Sequence, residues 1–184
     1  MKNKGLRLIV LSLLTAAWML IMKAMTATLH PMKVIQFEFI GTANNATDFL
    51  SGLRNSGELE LLTRSIFLDF IFPLLYGATF YYASAWVCSK LKKDHIFNRF
   101  RLLGSLTILA VMCDFIENVS LLKLIYYPPA DLYAYSAYFF ASLKFLLLGL
   151  VVIHFLMSGM IVIEGRKWKT TPGPSLKRRG KLNA

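Results

Sequence analysis

The sequence predicts an all-α integral membrane protein: a four-helix bundle with an outer loop, or cap, between helices 1 and 2. Three observations carry this. The 184 residues are 56% hydrophobic with a mean hydropathy of +0.53, too apolar for a soluble domain of this size. Four apolar runs each reach the ~20 residues needed to cross a bilayer. The basic residues cluster in short segments flanking those runs, which accounts for a net charge of +11 by membrane orientation rather than by nucleic-acid binding.

The expected spans are about 6–25, 65–89, 102–126 and 133–163. The first opens MKNKGLRLIVLSLLTAAWMLIM, a start it shares with secretory signal peptides. Its length, Trp18 and Met19, and the want of a small-x-small cleavage site favour a retained helix. Pro73 should kink the second span. Pro128 and Pro129 end the third and force a tight turn into the fourth. Tyr126, Tyr127, Tyr133, Tyr135 and Tyr138 gather at that turn, as amphipathic rings do at an interface. Trp168 would mark the opposite interface.

Fifteen of the twenty-one basic residues lie before span one, in the loop KLKKDHIFNRFR, or in the tail after span four. Glu38, Asp48, Glu58, Glu60 and Asp131 fall in the other two loops. The positive-inside rule then puts both termini in the cytoplasm. Residues 1–164 form one transmembrane domain, and 165–184 a basic, disordered tail that meets anionic lipid.

The loop 26–63 is the sizeable extramembrane part. VIQFEFIGT, 34–42, alternates large apolar residues around Gln36 and Glu38, which predicts an extended segment. ANNATDFLSGLRNSGELELLTRS reads as one or two short helices broken at Gly57. The loop is either a cap on the membrane surface or a lid over a cavity open to the outside.

Ionisable residues inside the spans carry the functional signal, because each costs several kcal/mol at depth and faces protein or water. Asp69 in span two, Asp114 and Glu117 in span three and Lys144 in span four fall in one outer-half layer. Helical spacing puts Thr107, Ala110, Asp114 and Glu117 on one face, with Asn118 adjacent. Ala134, Ala137, Ala141 and Lys144 form a stripe of small residues that should face the bundle. Asp69, Pro73, Tyr76 and Gly77 share a face in span two; Ser12, Thr15, Ala16 and Met19 do so in span one. All four stripes are expected to meet at a common centre.

The predicted ligand-binding set is therefore Asp69, Tyr76, Asp114, Glu117, Asn118 and Lys144, joined by Glu38 if FEFIGT folds down onto the bundle. Lys144 is the counter-charge. It also argues against a metal at Asp69, Asp114 and Glu117, and neither metal nor cofactor is expected. His154 lies apart, in the inner half, and reads as a packing histidine. Cys88 and Cys113 have no CxxC spacing and lie at different depths, so no disulfide is expected.

FEFIGT, LDFIFPLLYG and CDFIEN together resemble the pattern of a group of small, uncharacterised, four-helix bacterial inner-membrane proteins. The resemblance spans residues 34–122 and implies the same location, with no activity attached. It adds weight to Glu38, Asp69, Asp114, Glu117 and Asn118.

Three functions stay open. The chain binds a lipid or a small polar molecule in an outward-opening polar cavity. Alternatively, it is an intramembrane enzyme with Asp114 or Glu117 as general acid or base. Or it is an assembly subunit whose polar cluster locks the helices. The expected partners are membrane lipids, with a homo-oligomer or a membrane partner protein, and no nucleic acid.

Overall fold

The computed structural model describes residues 3–91 and 104–170, with side chains over 5–91 and 104–163. Most of the basic loop and residues 171–184 lie outside the described residues, as does the side chain of Trp168. The described chain is all-helical. In order, α1 is Asn3–Met25, α2 Pro31–Glu38, α3 Ala43–Asn55, α4 Leu59–Asp69, α5 Phe72–Cys88, α6 Leu106–Tyr126 and α7 Asp131–Thr170.

Three stretches are long and apolar enough to cross a membrane: Gly5–Met25, Leu59–Cys88 and Asp131–Ile163. The 21-residue α6 is long enough, but it carries Asp114, Glu117 and Lys123, so composition alone does not qualify it.

The fold is inside-out, apolar without and polar within. On α6 the exposed face is Ile108, Leu109, Met112, Ile116 and Val119, while Thr107, Asp114, Glu117, Asn118 and Ser120 are buried. On α7 the buried stripe is Ala134, Ala137, Ala141, Lys144, Val151, His154 and Ser158. The alanines let α6 and α7 approach closely, and this pair forms the largest helix–helix interface. Ser120 and Ser136 hydroxyls hydrogen-bond across it at 2.9 Å. On α5, Gly77 serves the same end: a Cβ there would come within 2.5 Å of Val111 Cγ2.

The second expected span is two helices. Pro73 has no N–H, and its ring would clash with the Asp69 carbonyl one turn back. So α4 stops at Asp69, two turn residues follow, and α5 starts at Phe72 with Pro73 in its first turn. The Trp18 indole donates to the Leu68 carbonyl at 3.2 Å, tying α1 to the break.

Two expectations are corrected. Segment 34–42 is not extended; most of it is the end of α2. Pro31 suits a first helical turn, and His30 Nδ1 accepts from Met32 N at 3.3 Å as its cap. Val34 and Phe37, three apart, then turn the same face inward. Nor does α1 offer Ser12, Ala16 and Met19 to the centre; all three are exposed. It packs on α5 and α4 through Leu11, Thr15 and Trp18, and Thr15 and Thr79 hydroxyls meet at 2.9 Å. The centre is built by α2, α4, α5, α6 and α7.

The loop between spans one and two is a folded cap. Phe37, Ala46, Leu50, Leu53, Leu62 and Ile66 share one core with Leu121, Leu124, Ala134 and Ala137 at the ends of α6 and α7. Gly41 and Gly57 take positive φ, 75° and 73°, at the turns between the cap helices, a conformation that glycine adopts at little cost. Asp131 Oδ1 accepts from Ala43 N at 2.7 Å, fixing the start of α3 to the start of α7. The helix α7 runs on through Thr170, into the segment read as tail.

Candidate functional site: a closed carboxyl–lysine cluster

Every predicted ligand-binding residue lies in one cluster. Lys144 Nζ donates to Asp114 Oδ1 at 2.9 Å and stands 2.7 Å from Glu117 Oε2. Tyr76 Oη donates to the other oxygen of Asp114 at 2.7 Å. Asn118 Nδ2 donates to Asp69 Oδ2 at 2.9 Å, linking α6 to the end of α4. Glu38, the last residue of α2, brings Oε2 to 3.9 Å from Lys144 Nζ. FEFIGT does fold down onto the bundle.

Local sequence explains each placement. Asp114 and Glu117 are one turn apart on α6, so a single lysine reaches both. The alanines of α7 clear the space through which Lys144 extends. Pro73 ends α4 at Asp69 and sets Tyr76 one turn into α5. Phe39 covers the cluster's edge, with its ring 5.8 Å from Tyr138 and 6.0 Å from Phe145, and the Lys144 ammonium lies 5.0 Å from the Phe145 ring.

The cluster is closed at its centre, with Glu38 and Asp69 partly exposed at its edge. Glu117 is 0% exposed, Asp114 and Asn118 2%, and Lys144 5%. Three carboxyls lie within 4 Å of one ammonium and Asp69 joins them through Asn118, so the cluster carries more acids than its one lysine can pair. Glu117 Oε1 has no hydrogen-bond partner, while Oε2 is held by the short contact with the Lys144 ammonium. Glu38 Oε2 is likewise buried without a hydrogen bond. Glu38 belongs to the cap, and burial pushes its carboxyl up to about 7 from 4.5 against the pull of Lys144, with Asp69 and Asp114 adding to the rise.

Among the described residues no three His, Cys, Asp or Glu side chains converge as metal ligands. Lys144 occupies the position between Asp114 and Glu117 that a cation would take. His154 is outside the cluster; it is 3% exposed, with Ser158 Oγ 3.4 Å from Nε2 one turn on. Cys88 and Cys113 form no disulfide. The sequence predicts that Asn118 bridges helices without naming Asp69 as its partner, and it does not single out Phe39, although the FEF triplet sets an aromatic ring on each side of Glu38.

No protein-family description, no curated protein and no solved structure matches the chain.

Proposed function

We propose that the chain is a multi-pass membrane protein that binds the polar end of a lipid, or a small polar molecule, at the Glu38–Lys144 cluster. Spans α1, α4–α5, α6 and α7 cross the bilayer as a four-helix unit. The inside-out burial of α6 supports it as the fourth crossing, since its charges are turned inward and its lipid-facing side is apolar. The charge asymmetry of the loops supports both termini on the cytoplasmic side, and the resemblance noted above supports a bacterial inner membrane. The cap is the lid, and α2 lifts with Glu38 to open the cluster outward.

One observation carries the binding reading: Glu117 is fully buried, and while Lys144 meets its Oε2 at 2.7 Å, its Oε1 has no partner. A buried acceptor left unsatisfied costs about 1–3 kcal/mol, more when charged. A pair that only fixes helix register needs one acid and one base, and this cluster holds four acids. A ligand with hydrogen-bond donors would satisfy Glu117 and Glu38 together.

The test is native mass spectrometry of the full chain in mild detergent, wild type against Glu117→Gln, beside thermal unfolding of both. The expected result is a bound molecule in the wild type, lost in the variant, with an equal or higher melting temperature. No bound molecule and a lower melting temperature in the variant would show that the cluster is a helix lock, and the assembly reading would replace this one.

A further inference from the structure

A second feature lies at the other end of the bundle, where α5 stops and α7 runs past it. A groove of about 390 Å³ opens between them, walled by Trp86, Val87, Phe155, Gly159 and Ile163, with Lys90 at its mouth. The volume falls within the ~300–1,000 Å³ of ordinary ligand sites. Its walls are apolar, and among the described residues Lys90 is its single charged lining residue.

We propose that this groove holds one acyl chain of an anionic phospholipid, with Lys90 on the phosphate. The inference rests on the membrane placement proposed above and is independent of the polar cluster. An apolar slot at the end of a spanning helix meets acyl chains by position, and the charge at its mouth selects the headgroup. Lys90 lies 5.8 Å from the Trp86 ring centroid, a pairing that seats the ammonium beside an interfacial aromatic.

One opposing effect is the C-terminal end of α5, which carries roughly half a negative charge. Its carbonyls are already engaged. Ala85 O accepts from Ser89 N, Val87 O from Lys90 N and Cys88 O from Leu91 N, while Trp86 O accepts from Ser89 Oγ at 2.6 Å. The full charge of Lys90 therefore prevails at the mouth. Among the described residues no acid lines the groove.

Gly159 supplies the test. Gly159 lines the groove and a Cβ built on it meets nothing within 4 Å, so Gly159→Phe starts a bulky side chain at the groove wall with no clash at its root. The full chain is exchanged into nanodiscs holding equal phosphatidylglycerol and phosphatidylethanolamine of the same chain length, then released into detergent. Retained lipid is counted by native mass spectrometry. Wild type should keep phosphatidylglycerol in preference. Lys90→Ala, at an exposed position, should lower that preference about fivefold, the worth of one surface lysine against an anionic headgroup. Gly159→Phe should lose the retained lipid while the molecule bound at the polar cluster stays. Equal retention of the two lipids by wild type, or undiminished phosphatidylglycerol in Gly159→Phe, would overturn the proposal. The latter result would assign anionic lipid to the basic tail instead.

Discussion

Glu117 Oε2 lies 2.7 Å from Lys144 Nζ across the α6–α7 interface, and the glutamate side chain has no exposed surface. In a low-dielectric interior such a contact is strong only while both partners remain. The same ammonium also serves Asp114 and faces Glu38, so one side chain of α7 balances acids drawn from α2 and α6.

Lys144→Met should therefore be far worse than a typical core substitution. It strands Asp114 and Glu117 without a counter-charge, a change that costs about 3–5 kcal/mol for a buried pair. Adding Asp114→Asn and Glu117→Gln to Lys144→Met should recover most of the loss. Thermal unfolding in detergent checks both, and an unchanged midpoint in Lys144→Met would show that the lysine is dispensable.

Gly77 predicts a clash of a different kind. Any side chain there enters Val111 Cγ2 at 2.5 Å, and overpacking of this sort costs about 1–3 kcal/mol. Gly77→Ala should lower the melting temperature, and Gly77→Ala with Val111→Ala should restore part of it. If the double variant is no better than the single one, close approach of α5 and α6 is not the reason for the glycine.

Glu38 gives the pH dependence. The unfolded carboxyl titrates near 4.5 and the folded one at about 7, so between these values the folded state holds a proton that the unfolded chain releases. The stabilisation is complete below 4.5 and is lost as pH rises through 7. Lys144, Asp69 and Asp114 face this carboxyl and act on it. Melting temperatures at about pH 5 and pH 8 should differ more in wild type than in Glu38→Gln. An equal difference in the two proteins would remove Glu38 as the titrating group.

Asp131 tests how firmly the cap is seated. Its carboxylate accepts from Ala43 N, beside the Thr42 cap of α3, and loss of one such hydrogen bond costs about 1 kcal/mol. Asp131→Ala should speed hydrogen exchange at the start of α3 and leave the buried amides around Asp114 unchanged. Uniform protection in the variant would show that the cap is held by its apolar core alone.

The cluster was legible in sequence because helical spacing is rigid. Asp114, Glu117 and Asn118 had to share a face, and the alanines before Lys144 showed which side of α7 turned inward. What sequence could not give was the partner of each face. The Ser12, Ala16 and Met19 stripe on α1 is as small and polar as the others, yet α1 lies outside against α5, because Thr79 and the Leu68 carbonyl offer it hydrogen-bonding partners there. Alternating apolar residues around Glu38 matched a strand equally well, and the helix was decided by Pro31 and the His30 cap. The break before Pro73 was foreseen as a kink; that it ends α4 at Asp69 depends on the clash of the proline ring with that residue's carbonyl.

The charges on α6 also bear on how the chain is made. On the proposed topology, a segment carrying Asp114, Glu117 and Lys123 is a poor substrate for insertion by itself, since acids and lysines at depth are each penalised by about 2.5–3.5 kcal/mol. The segment that follows, after Tyr127–Ala130, has the highest mean hydropathy of the candidate spans, 2.6, and carries the lysine that meets those acids. Biogenesis would then favour α6 and α7 entering the bilayer as a hairpin, the second helix drawing in the first. Nascent chains cut before Lys144 should leave α6 outside the bilayer, and those that reach the end of α7 should carry it across.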